Sequence, residues 1–225
     1  MNIQLARLLQ LASPTLPVGA YAYSQGLEWA VESGVVRDEA DALIWIGDLL
    51  EWNIGRYEAP LLAQMLNACA APDTQRLAQL NTRFLASRES AELRAETVQM
   101  GYSLVRLLGE LGQDGVAAFT LARSLNTPTF PAAWACAAAA WQIEASAALT
   151  AYLWSWLENQ TMAALKAVPL GQAAGQRMML AVGARIAPIV ERAQQLPETD
   201  YSNLAPGFAI ASSQHETQYS RLFRS

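Results

Sequence analysis

Residues 132–157 read AAWACAAAAWQIEASAALTAYLWSWL and carry one charge, Glu144. The stretch is long enough to span a bilayer. Its composition argues against that use. Alanine and serine gain little on transfer into lipid, and Gln142 and Glu144 sit near the centre. A carboxylate there costs roughly 2.5–3.5 kcal/mol on insertion scales. A helix apolar all round is equally what the middle of a helical bundle requires. The stretch therefore reads as one long buried helix of a soluble protein, with Pro131 at its first turn.

Working outward, the same helical spacing recurs. Ile3, Leu5, Leu8 and Leu9 form a short first helix, stopped by Pro14 and Pro17. Ser24 caps a second through Leu27 and Val31, ending at Gly34. Asp38 opens a third, with Leu43, Ile46 and Leu50 on one face. Asp73 caps a segment through Leu77, Leu80 and Phe84. Glu89 to Leu111 is a long helix with Leu93, Met100, Leu104 and Leu108. Asp114 starts the next, and Leu170 to Ala193 carries the last long one. No run alternates with strand period and no hairpin signal is present. The expectation is an all-α, single-domain helical bundle over residues 1–195. From about Leu196 the pattern fails at Pro197, Asn203, Pro206 and Gly207. Residues 196–225 read as a mobile C-terminal tail that folds onto a partner.

Composition narrows the function. Hydrophobic residues make up 52% and charged residues 16% of 225. Roughly 25% charge is usual, so more apolar surface needs covering, as in an oligomer or permanent complex. The net charge is −5, with no Lys/Arg block, which excludes a nucleic-acid binder. Lys166 is the only lysine. The arginines that supply the other cations suit planar contacts at interfaces. The opening Met1–Arg7 lacks the basic segment and continuous apolar core of a signal peptide, so a cytoplasmic location is expected. Cys69 and Cys136, in small apolar surroundings, read as buried thiols.

Catalytic constellations are missing from the sequence. There is one histidine, His215, and neither cysteine has a partner at ligand spacing, so no metal site is expected. No Gly-rich stretch ends in Gly-Lys-Ser/Thr, which excludes an intrinsic P-loop NTPase. A Ser–His–Asp or Cys–His site would have to use a histidine in the tail. The chain is therefore read as a non-enzyme without cofactor.

Four segments remain that a helical core does not explain. The first is Ser13–Glu28, SPTLPVGAYAYSQGLE, where Tyr, Ser, Gln and Glu crowd together after two prolines. The second is Ser87–Glu96, followed by Met100-Gly101, where Arg88 and Glu92 stand four apart and can pair on a helix face. The third is Pro169–Arg177, whose small residues allow two helix backbones to approach closely, leaving Gln172, Gln176 and Arg177 polar. The fourth is His215–Ser225, HETQYSRLFRS.

Together these four segments resemble the UreF family of urease accessory proteins, and they fall in the family's order from one end of the chain to the other. The resemblance implies an all-α homodimer. It would join the accessory protein UreD (UreH in some species) and the GTPase UreG in an assembly acting on the urease apoprotein. GTP hydrolysis by UreG would deliver nickel to an active site whose lysine is carbamylated. The family member supplies no chemistry: it bridges UreD and UreG, with suggested roles in regulating the GTPase or checking nickel delivery. The tail would become ordered on partner binding.

By position, the implied partner-binding residues are Tyr21, Tyr23, Ser24, Gln25 and Glu28 in the N-terminal motif. Arg88, Glu89 and Arg94 follow, then Gln172, Gln176 and Arg177. The tail contributes His215, Glu216, Gln218, Tyr219, Arg221, Leu222, Phe223 and Arg224. One departure is visible: Ser212-Ser213-Gln214 precedes His215 where a basic residue is expected. An alternative function is activation of the UreG GTPase in trans through Arg177, Arg221 or Arg224, an arginine finger being worth roughly 10³–10⁵ in rate. A direct nickel carrier is a third reading.

Overall fold

The computed structural model describes residues 3–112 and 116–225. The expected helix start at Asp114 lies outside these residues. Among the described residues there is no strand, so the fold is all-α. No helix among them is long and apolar enough to cross a membrane.

The stretch 132–157 is helical but broken. Helix α8 spans Phe130–Ala140 and helix α9 spans Ala145–Ala167. Gln142 takes a positive φ of 56° between them. Glu144 then caps α9, its carboxylate accepting the Ala147 amide at 2.9 Å. The acid that argued against a membrane helix thus ends one helix and starts another. Its carboxyl lies below the ordinary range, chiefly through the Ser146 hydroxyl hydrogen bond.

Helix α8 is the centre of the bundle. Every residue from Pro131 to Ala138 is buried. It is enclosed by α4 (Ala59–Ala70), α5 (Thr74–Ala86), α6 (Ala91–Glu110) and α7 (Ala117–Ser124). Alanine at these positions allows neighbouring backbones to come close on all sides. The approach of α6 is closest at Gly101, where a Cβ would meet the Pro128 carbonyl oxygen at 2.1 Å. The intervening turn is held by Asn81, whose side-chain oxygen accepts from Thr129 N (2.9 Å) and Oγ1 (2.8 Å). Cys69 on α4 and Cys136 on α8 are both buried, with sulfurs 3.5 Å apart. The hydrogen bond to Cys69, then burial, pushes the Cys136 thiol well up.

Helix α9 is the second spine. It packs against α1 (Ile3–Ala12), α2 (Leu27–Glu32), α10 (Gln172–Gly183) and α11 (Ile186–Gln195). The expected single helix over 170–193 is two helices, separated at Ala184-Arg185. The close approach predicted for its small residues is present: a Cβ on Gly175 would meet Leu165 Cδ1 at 2.8 Å.

Side-chain caps place α3 (Glu39–Asp48), α5 and α6. Asp38, Asp73 and Ser90 accept the amides of Asp41, Arg76 and Leu93. Between α3 and α4 the chain stays helical but widens to π geometry over Leu49–Glu58, with the Ala59 amide bonded to the Ile54 carbonyl. The sequence carried no sign of this widening. It turns Glu58 into the interior, where it is buried.

The last correction concerns the tail. Residues 206–215, where Pro206 and Gly207 were expected to break any helix, form helix α12 (Pro206–His215), with Pro206 at its first turn. Proline there loses no helical hydrogen bond. Helix α12 lies on α2 and the start of α6.

Candidate functional site

The two ends of the chain, read from sequence as partner-facing, meet each other. Gln25 and Gly26 both take left-handed backbone conformations, φ 53° and 77°. This turns consecutive amides toward one point. Ser24 N (2.6 Å), Gln25 N (3.0 Å) and Ser24 Oγ (2.6 Å) all donate to the Ser225 carbonyl oxygen. Ser24 Oγ also accepts the Glu28 amide at 3.3 Å, but the residue at the start of α2 is Gly26, not the expected cap Ser24. The Arg224 amide donates to the Ala22 carbonyl at 2.8 Å.

Glu28 reads the tail backbone directly. Its carboxylate accepts the amides of Leu222 (2.6 Å) and Phe223 (3.0 Å). It also lies 3.2 Å from His215 Nε2, and His215 Nδ1 is 2.6 Å from Glu92. The imidazole is fully buried between these carboxylates. The other oxygen of Glu92 accepts from Arg221 at 2.6 Å. Glu216 caps α6 from outside, accepting the Ala91 amide at 2.6 Å. Ser212 donates to Ser90 at 2.8 Å.

Deeper in the seam is Glu96. Gln25 Nε2 donates to it at 2.6 Å and Ser225 Oγ at 2.8 Å. The Trp156 indole in turn donates to Gln25 at 2.8 Å. Burial pushes the Glu96 carboxyl up to about 7, despite the two hydrogen bonds that favour its charge. Burial, then Glu96, also raises the Tyr23 phenol, while Arg224 beside it pulls the other way. Lys166 lies 5.3 Å from the Phe223 ring and 6.0 Å from Tyr21, clamping the tail's aromatic anchor.

Behind the seam lies a cavity of about 350 Å³. Gln25 and Glu96 form part of its wall, with Trp134 and Met100 on the apolar side. Glu58 and Arg88 also line it and pair at 3.3 Å. Tyr152 donates to Glu58 at 2.5 Å, and burial first, then Glu58, pushes its phenol well up. The expected Arg88–Glu92 pair is therefore not made. Arg88 turns inward to Glu58 and stacks over Phe84, while Glu92 turns to the tail. The Arg88–Glu58 pair is buried, whereas the Arg221 side chain opposite Glu92 stays exposed. Among the described residues no group of three or more His, Cys, Asp or Glu is placed to hold a metal ion.

The predicted residues thus divide. Tyr23, Ser24, Glu28, His215 and Phe223 are buried in the seam, and Gln25 is half-buried there. Tyr21, Glu216, Tyr219, Arg221, Leu222 and Arg224 are exposed along its edge, with Gln218 half-buried. Glu89 and Arg94 are exposed near the start of α6, Glu89 accepting from Asn203 and Arg94 donating to the Leu85 carbonyl. Gln172, Gln176 and Arg177 lie apart on α10, where Arg177 pairs with Glu39 at 2.5 Å. Glu96, Gly26 and Ser225 were not singled out from the sequence, and Glu92 was read only as a helix-face partner for Arg88. Glu96 had a signal: it falls within the apolar stripe of Leu93, Met100 and Leu104, where a carboxylate needs a reason. Glu58 had none.

The UreF family model matches residues 36–183. The urease accessory protein UreF of Azoarcus sp. (strain BH72) is 65% identical, covering 99% of this chain and 96% of its own. That of Dechloromonas aromatica (strain RCB) is 63% identical, covering 99% and 98%. A bifunctional urease accessory protein UreEF of Bordetella bronchiseptica is 48% identical over 99% of this chain and 52% of its own length. The chain belongs to the UreF family, the accessory proteins of urease maturation.

Proposed function

We propose that the chain is a non-catalytic scaffold that bridges UreD (UreH) and the GTPase UreG during nickel insertion into the urease apoprotein. It works as a homodimer in the cytoplasm. The observation that carries this reading is the seam. The N-terminal motif fixes the tail backbone while two tail side chains face outward, Tyr219 at 104% and Leu222 at 70% exposure. Large apolar side chains exposed on an anchored backbone are suited to a partner's pocket. The low charge content and the exposed Ile3, Leu5 and Leu9 on α1 support self-association.

The activator reading is weaker on geometry. Arg177 and Arg221 are engaged by Glu39 and Glu92, so each would have to leave a carboxylate to reach a transferring phosphoryl group. Deleting residues 214–225 tests the scaffold reading. The helical body stays folded and UreD-dependent recruitment of UreG is lost. Undiminished co-purification of all three proteins would overturn it.

A further inference from the structure

The seam between tail and body joins unlike charges. The body contributes three acids, Glu28 on α2 and Glu92 and Glu96 on α6. The tail brings His215, Arg221 and Arg224, with Glu216 directed at the α6 N-terminus. Of these side chains, only the His215 ring can stand with either one or two N–H groups.

We propose that this seam is a proton-gated latch, in which protonation holds residues 206–225 on the body and proton loss frees them. The idea goes beyond the scaffold reading and does not depend on it.

The hydrogen-bond geometry of His215 is the first support. Both ring nitrogens face carboxylate oxygens, Glu28 at 3.2 Å and Glu92 at 2.6 Å. A ring with two N–H groups donates both bonds. A ring with one N–H turns a lone pair toward a carboxylate, and the seam then holds an unsatisfied, repulsive contact in a buried place. Among the described residues no other cation reaches Glu28, and Glu92 keeps only Arg221.

Glu96 is the second and lies on different contacts. Around it stand Gln25, Ser225, Tyr23, Glu58, Arg88 and Tyr152. Arg88 is the one cation in that group, and it is already paired with Glu58. An ionised Glu96 is thus a buried charge without an ion partner, covered by the tail's last residue. Its docked carboxyl, at about 7, is above its ordinary 4.5. Lifting the tail returns it toward water and the ordinary value. Docking therefore takes up a proton between these values and is weakened as pH rises through them. Both groups act in the same direction.

The test uses the full chain and hydrogen exchange of residues 206–225 between about pH 5 and about pH 8, corrected to protection factors. Protection in the tail falls with rising pH, by up to about tenfold per unit for one linked proton. Glu96→Gln and His215→Gln each flatten the slope. The same slope in wild type and both variants overturns the proposal, as does a tail equally protected throughout. Should a variant not fold, the wild type still decides, because His215 is the only histidine. Its ring nitrogens are read directly by nitrogen NMR. Two N–H groups in the docked state support the latch. A one-proton ring in a tail that remains protected overturns it.

Discussion

Gly26 and Ser212 are in backbone contact: a Cβ placed on Gly26 would lie 2.9 Å from the Ser212 amide nitrogen. Gly26 also sits at φ 77°, where any other residue is strained. One glycine thus satisfies both the turn that aims Ser24 and Gln25 and the approach of α12.

Gly26→Ala should therefore loosen the tail without unfolding the bundle. The positive φ costs about 1 kcal/mol and the overlap roughly 1–3 kcal/mol more. Hydrogen exchange should show the loss confined to residues 206–225 and the turn at 22–28. A uniform loss across α4, α8 and α9 would contradict the separation of latch and core.

The Glu96 carboxyl predicts a sign for stability against pH. Its folded value, about 7, exceeds its ordinary 4.5. The stability from its bound proton is full below 4.5 and is lost as pH rises to about 7. Glu96→Gln removes the ionisation and keeps an acceptor and a donor for Gln25 and Ser225. Urea unfolding of both chains should show the variant gaining on wild type by up to about 1.4 kcal/mol per pH unit across that window. A constant difference would show that Glu96 does not titrate there.

Glu144 makes the opposite prediction on a smaller scale. Its carboxyl is depressed, first by the Ser146 hydroxyl and then by backbone amides. Its contribution is present above the ordinary carboxylate value and disappears as pH falls through the depressed one. Glu144→Ala should cost roughly 1 kcal/mol near neutrality, the usual worth of an N-cap, and almost nothing in strong acid.

Arginine replacement separates scaffold from activator. With UreG, UreD and the urease apoprotein present, Arg177→Ala, Arg221→Ala and Arg224→Ala should each change GTP turnover by only a few-fold while the complex assembles. A drop of about 10³ in one variant, with assembly intact, would restore the arginine-finger reading.

Fold class was legible because the apolar positions recur at helical spacing and because Asp38, Asp73 and Ser90 stand where helices begin. Three things were not. The break at Gln142 is hidden, since alanine-rich sequence on both sides favours helix and only tertiary packing selects the turn. The π stretch at 49–58 depends on interior contacts of Glu58 made far along the chain. Helix α12 is hidden because Pro206 reads as a breaker in sequence, whereas in the fold it is a first-turn residue. The site was half legible. The crowding of Tyr, Ser, Gln and Glu at 21–28 and of polar residues at 215–225 was visible, but sequence spacing carries no information that one group grips the other.

The hydrogen bond from Ser24 to Ser225 joins positions 201 apart in the chain. Closing so long a loop is among the last events open to a molecule made from its N-terminus. The bundle can assemble around α8 while the tail is still within the ribosome. Until the tail docks, Glu28 and Glu96 stand bare; once it docks, both carboxylates are covered. A partner that reads the covered edge therefore meets only molecules whose folding has reached this last contact.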